Sequence, residues 1–352
     1  MTSDDLDILL GAARIPEQRR VLGALLATAG RSAWRAWRPP TRGRAPRLPG
    51  PELVERVRAP SPALVRAYCR HLQIAADGPR DAPLVPPHLF PQWTFPLAAR
   101  ALRPLHCPLA RVLNAGCRLQ VNARIPASAP LTVRAQLLNV EDDGQRALLH
   151  ERITTDTPDA PGALVADLYA VAPTGAARRR DARPASSAAD AARVPFSARE
   201  LGRLRFGPRA GLAYACLSGD FNPVHWARAY ARAAGFPTPI LHGFALMARA
   251  MECLGRAAFG GATERLRLVD VRFKRPLVLG RGIEVGVYRD DTDPRVFYVA
   301  DAPGVRPYLT GSMGFDESEA IQRETARPGV RPIERDGFVI PDGPMIREAR
   351  HA

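Results

Sequence analysis

The stretch Tyr214–Phe244, YACLSGDFNPVHWARAYARAAGFPTPILHGF, carries the densest local signal in the chain. Ser218-Gly219-Asp220 and Asn222-Pro223 are turn formers, so a loop leaves one element here. His225 through Ala234 reads as helical, and Gly235–Pro239 ends that helix. Ile240–Leu254 opens a long apolar helix with His242-Gly243 in its first turn. Asp220 and His225 are therefore expected on either side of a tight turn, where their side chains can converge. A carboxylate beside an imidazole is an acid/base pair, with Asp accepting a water proton and His donating or orienting. Asn222 offers both a donor and an acceptor to fix such groups. Gly243 at a helix N-terminus offers an exposed N–H, aided by the helix dipole, that can polarise a carbonyl oxygen.

Working outward, two stretches echo one another. Ala98-Ala99-Arg100-Ala101-Leu102 before Leu105 matches Met247-Ala248-Arg249-Ala250-Met251 before Leu254, 149 residues later. Each apolar helix is followed by an alternating strand, Leu119/Val121/Ala123 or Val269/Val271/Phe273, and by a proline, Pro126 or Pro276. Leu131–Ala135 and Ile283–Val287 read as the next strands. Ala147–Ile153 and Leu164–Val171 follow in one half, Val296–Ala300 and Tyr308–Phe315 in the other. A long helix followed by antiparallel strands, twice over, is an α+β arrangement.

Three breaks frame these halves. Residues 1–60 look like an arginine-rich helical lead-in, with Leu9, Leu10, Val21, Leu22, Leu25 and Leu26 on one face, Trp34 and Trp37 beyond, and prolines closing it. Such a helix suits peripheral contact with an anionic membrane, or packing on its own domain or a subunit neighbour. Thr174–Ala192 lacks apolar periodicity and reads as a linker, and the chain after Phe315 turns polar and Pro/Gly-punctuated. The expected division is a basic helical extension at 1–54, a first half at 55–173, a linker at 174–193, a second half at 194–317 and an extended tail at 318–352.

The 352 residues carry 50 Lys+Arg against 35 Asp+Glu, a formal charge of +15. Lys274 is the single lysine. An arginine excess of this kind reads as compositional bias, so no nucleic-acid partner is expected. An apolar share of 46% argues against wholesale disorder, and no apolar run reaches the roughly 18 residues of a membrane span. Five scattered cysteines without a CxxC fit a reducing, cytoplasmic setting and give no zinc site. His71, His88, His106, His150 and His351 show no ligand spacing, so no metal is expected.

The string Ser218-Gly219-Asp220-Phe221-Asn222-Pro223-Val224-His225, with Tyr214 before it and Ile240-Leu241-His242-Gly243 after it, resembles the hydratase motif of the MaoC-like dehydratases, the (R)-specific enoyl-CoA hydratase family. The two-half layout is similar to its double hot-dog members over about residues 55–315. The resemblance implies a double hot-dog fold and reversible hydration of trans-2-enoyl thioesters to (3R)-3-hydroxyacyl thioesters. It implies that Asp220 and His225 activate the water, Asn222 orients them, and the Gly243 N–H binds the thioester carbonyl oxygen. It implies no metal or redox cofactor, and an acyl-CoA or acyl carrier protein thioester as the substrate. Either an internal functional pair or a homodimer would suit it.

The first half departs from the motif. Set against Tyr214, Tyr68 is followed by Arg70-His71-Leu72-Gln73-Ile74-Ala75, and Trp93-Thr94-Phe95 stands where the second half has His242-Gly243-Phe244. Trp93, with Phe90, Phe95 and Phe244, is a candidate lining of the acyl site, though aromatics before a helix are usually core. Arg272 and Lys274, on the strand face opposite Val271 and Phe273, are candidates for the CoA phosphates and read equally as a solvated face. Cys216 and Ser218 sit in no nucleophile elbow and read as structural. Two other functions stand beside the hydratase. One is a hot-dog acyl-CoA thioesterase. The other is a non-catalytic partner in a lipid-metabolism complex.

Overall fold

The structure, a computed structural model, describes residues 3–19, 21–23, 47–76, 78–79, 82–105, 112–142, 146–173, 193–260 and 266–314. Almost all of the expected linker, the whole C-terminal tail, Trp34, Trp37, His106, Cys107 and His351 lie outside the described residues. The helices are α1 (Ser3–Ala12), α2 (Pro62–Leu72), α3 (Pro91–Ala101), α4 (Ala210–Ser218), α5 (Arg228–Ala233) and α6 (Gly243–Phe259). The strands are β1 (Leu53–Arg58), β2 (Leu113–Val121), β3 (Pro130–Asp142), β4 (Arg146–Thr157), β5 (Ala160–Pro173), β6 (Arg199–Phe206), β7 (Leu268–Phe273), β8 (Ile283–Arg289), β9 (Val296–Ala300) and β10 (Leu309–Gly314). No helix among the described residues is long and apolar enough to cross a membrane.

The chain forms two compact units. The first comprises Met1–Asn114, Val121–Ala176 and Leu212–Asn222, and the second Ala115–Gln120, Ala177–Gly211 and Pro223–Ala352. In the first unit β1, β3, β4 and β5 pair in that order, all antiparallel. Their alternation sends Leu131, Val133, Ala135 and Leu137 of β3, and Leu149, Ile153 and Thr155 of β4, into the core. Helix α3 packs against β1, β3 and β4, and Arg100 on it reaches Glu55 of β1 at 3.1 Å. A buried set of Leu105, Leu137, Ala147, Leu149, Ala170 and Ala172 closes this core.

In the second unit the order is β7, β10, β9, β8, β6, again antiparallel. Gly116–Gln120 of β2 add to the outer side of β7. Helix α6 packs against β6, β7 and β8. It buries Phe244, Leu246, Met247, Met251 and Leu254, a stripe at helical spacing. Gly260, at φ +61°, ends the helix in the left-handed conformation that glycine adopts without a steric penalty.

Each unit is thus a helix against an antiparallel sheet, and the molecule has the α+β double hot-dog fold. Three features differ from the sequence reading. The lead-in is not one helix: α1 stops at Ala12, a 3-10 turn follows at Ile15–Gln18 where Pro16 bars continuation, and β1 lies at Leu53–Arg58. The first-half helix is shorter, 11 residues against 17, with Pro96 inside it and Pro104 two residues past its C-cap. The run expected to be helical from His225 to Ala234 splits into a 3-10 turn at Pro223–His225 and α5.

Candidate active site

The motif begins on α4, an apolar helix whose end is closed by its own side chain. Ser218 Oγ donates to the Tyr214 carbonyl at 2.9 Å, and the Gly219 N–H donates to Ala215 at 2.9 Å. Gly219 takes φ +82°, which turns the chain sharply out of the helix. Asp220 comes next. Its own N–H donates to Ser218 Oγ at 3.3 Å, and its Oδ1 accepts the Asn222 N–H at 3.3 Å, an Asx-type turn. The Asn222 backbone thus helps to hold the Asp220 carboxylate.

Behind this loop, within the first unit, lies a buried polar run of Tyr68, His88 and Tyr214. Tyr68 OH sits 3.0 Å from His88 Nδ1, and the Tyr68 and Tyr214 rings lie 6.4 Å apart. All three side chains are almost completely buried. Burial pushes the Tyr214 phenol far above its ordinary value and the nearby Asp220 charge adds to this, while the Tyr68 hydroxyl works the other way. Tyr214 is therefore a neutral hydroxyl at any working pH.

The second unit holds His225, His242 and Gly243. His225 Nδ1 stands 2.9 Å from the Ile240 carbonyl oxygen. A carbonyl only accepts, so Nδ1 carries the proton, and in the neutral ring the lone pair is on Nε2. Ile240 is itself held by its N–H to Val224 at 3.2 Å and by a bridge to Val278. The His225 ring stacks on His242, with centroids 3.7 Å apart and planes at 26°. A side chain on Gly211 would run into the His225 carbonyl, so within the second unit only a glycine fits beside this turn.

His242 is the N-cap residue of α6 and makes no side-chain cap bond, and Gly243 is the first helical residue. The first N–H groups of a helix have no partner within it and point along the positive end of the dipole. A Cβ on Gly243 would lie 3.0 Å from three Phe273 ring atoms. Phe244 is buried and meets Phe273 edge to face at 5.7 Å.

The remaining candidates are more ordinary. Trp93 is buried in the first unit, where its N–H donates to Thr155 Oγ1 at 3.2 Å. Arg272 pairs with Asp270 and donates to the Val271 carbonyl at 3.0 Å, and Lys274 follows the end of β7 half-buried. Sequence reasoning passed over Trp226 and Tyr230, 42% and 43% exposed, with Arg228 and Arg232 exposed on α5. Large aromatics left in water so close in sequence to His225 were the available signal.

The helices α3 and α6 start 152 residues apart, at Pro91 and Gly243. Phe90-Pro91 opens α3 as His242-Gly243 opens α6. Proline has no N–H, so the first unit lacks that donor as well as the Asp/His pair.

Residues 197–295 match the family described as MaoC like domain. Enoyl-CoA hydratase ChsH3 of Mycobacterium tuberculosis is 29% identical over 186 residues, 52% of this chain and 62% of that protein. The 3-hydroxyacyl-thioester dehydratase Y of the same organism is 28% identical, with 65% of its length matched. The chain therefore spans less than two thirds of either. The (R)-specific enoyl-CoA hydratase of Aeromonas caviae is 35% identical over 91 residues, 25% of this chain and 67% of that enzyme. Among solved structures, HtdX of Mycobacterium tuberculosis superposes with a TM-score of 0.56 at 20% identity, covering 74% of this chain and 99% of that one. With two hot-dog units and the hydratase string in the second half of its sequence, the chain belongs to the MaoC-like dehydratase family.

Proposed function

We propose that the chain catalyses the reversible addition of water to trans-2-enoyl thioesters, giving (3R)-3-hydroxyacyl thioesters on CoA or an acyl carrier protein. The observation that carries this reading is the Gly219–His225 string together with a His225 tautomer fixed by Ile240. Three of the matched relatives are named as hydratases or dehydratases of acyl thioesters, which supports it.

In the proposal Asp220 and His225 share one water. Its oxygen bonds to the substrate β-carbon while the double-bond pair shifts toward the α-carbon and the carbonyl oxygen. The Gly243 N–H takes up the charge on that oxygen. One water proton passes to the Asp/His pair and one proton from the pair goes to the α-carbon, so the net change is addition of H and OH. Asn222 holds the Asp220 carboxylate through its N–H. Phe244 braces the Phe273 ring against Gly243. Lys274 and Arg272 are assigned to the anionic end of the carrier, together with the exposed Arg228 and Arg232, because Asp270 already claims part of the Arg272 charge. The scheme calls on no metal or redox group.

Crotonyl-CoA tests it. Loss of the enoyl absorbance without free thiol is the expected result, and chiral analysis should return the 3R product. Thiol release with the enoyl chromophore intact would replace the reading by a thioesterase. D220N and H225Q should lower kcat by about 10²- to 10⁴-fold with unchanged circular dichroism. Full turnover in both would leave a non-catalytic partner as the better account.

A further inference from the structure

The last carbonyls of α4 have no helical partner of their own. Tyr214 and Ala215 are served by Ser218, the last residue of the helix, and by Gly219 just after it. The Cys216 carbonyl is served from 198 residues away, by the Gln18 side-chain amide. Gln18 is completely buried. It ends the 3-10 turn Ile15–Gln18, which is held by Arg14 and Glu17 N–H bonds to Gly11 and Arg14.

The same arm crowds the exit of the helix. A Cβ on Gly219 would lie 2.8 Å from Gln18 Oε1 and 3.0 Å from Val21. A Cβ on Gly11 would strike Cys216. One turn earlier, Asp7 of α1 meets His71 of α2 at 2.8 Å, with both side chains nearly buried. The arm is thus fastened at its start and laid across the residue that launches Asp220.

We infer that residues 3–19 form a positioning arm for the candidate catalytic loop, with Gln18 as the positioning residue that fixes the end of α4 and so the direction of Asp220. This rests on the reading that Asp220 acts on the water. Gln18 touches no substrate. It acts by setting the Gly219 turn, and misplacement of a catalytic group by about 1 Å is enough to cost orders of magnitude in rate.

Three variants of the full chain test the inference. Gln18→Met keeps the volume and removes the donor. It should lower kcat at least ~10-fold with KM within about twofold, as expected when a reacting group is misaligned and binding is intact. Gln18→Glu should restore kcat at acid pH, where a buried carboxyl is protonated and donates, and lose it as that carboxyl ionises, adding a limb to the pH profile. Leu9→Ser, on the exposed side of α1, should leave kcat unchanged. Amide exchange over residues 217–222 gives a readout apart from turnover and should quicken in Q18M while α6 keeps its protection. Wild-type-like kcat and exchange in folded Q18M would overturn the inference. So would a kcat that merely tracks the folded fraction, with no new limb in Q18E. If the wild type fails to hydrate any enoyl thioester while exchange still quickens in Q18M, the hydratase reading falls and the hold of the arm on the loop stands.

Discussion

Gly243 is the first residue of α6, and the chemistry assigned to it uses its N–H alone. That makes it separable from the fold. Proline is favoured at the first helical position, and His242 already has φ −61° and ψ 135°, the extended conformation that a following proline demands. The first unit carries Pro91 at that position of α3. Gly243→Pro and Gly243→Ala both place a Cβ near the Phe273 ring, at 3.0 Å before relaxation, but only the proline deletes the N–H. The pair should melt within a few degrees of each other. G243P should lose a further 10²- to 10³-fold in kcat, about the worth of one oxyanion donor. Equal kcat values would remove Gly243 from the mechanism. At this scale the sequence is informative where residues are neighbours in the chain. Asp220, Asn222 and His225 lie within six positions, so their types and spacing can be read. Gln18 meets Cys216 across 198 residues, and nothing in either local pattern announces the meeting.

Strands β4 and β5 carry a polar cluster that no motif predicted. Asp167 accepts from Arg152 Nε at 2.8 Å and from its terminal nitrogen at 3.0 Å, and lies 3.1 Å from His150 Nε2. His150 stacks on Tyr169 at 4.9 Å. Burial pushes the Asp167 carboxyl up, and the His150 and Arg152 bonds and charges outweigh it, holding the group below the usual carboxylate range. Folding therefore lowers this pKa. Its contribution is complete above the unfolded value of about 3.9 and is lost as the pH falls through the lower folded value. Asp167→Asn should cost about 1–2 kcal/mol near neutrality, because the carboxylate is buried but the Arg152 head is 43% exposed and stays solvated. The gap in Tm between variant and wild type should narrow below about pH 4. A gap that is constant with pH would assign the loss to packing. The elements themselves were legible where alternation was clean, as in β3, β7 and β8. β1 and β6 escaped because LVERVR and RELGRLRF place a charged residue at nearly every other position. Arginine stems pack along a sheet face while the heads stay in water, so such strands look like surface in the sequence.

For the whole molecule, the order helix, strand, proline in each half was enough to find two copies of one fold. The helices start 152 residues apart against a repeat of 149 in the sequence, a difference of less than one turn, over which a pattern of Ala, Arg and Met barely changes. The charge is the other global property. A formal +15 spread over 49 arginines and one lysine says little about any one contact. It does make a prediction about approach. A CoA thioester is polyanionic, whereas the matching N-acetylcysteamine thioester is neutral, so only the first is drawn by the field of the protein. Raising the salt from about 0.02 M to about 0.5 M shortens the screening length from over 20 Å to under 5 Å. KM for the CoA substrate should then rise several-fold while kcat stays level, and both constants for the neutral thioester should hold. Equal behaviour of the two thioesters would mean that the arginines are composition and nothing more. A rise confined to CoA that disappears in an Arg228→Ala, Arg232→Ala double variant would place the useful part of the charge on α5, beside the exposed Trp226 and Tyr230.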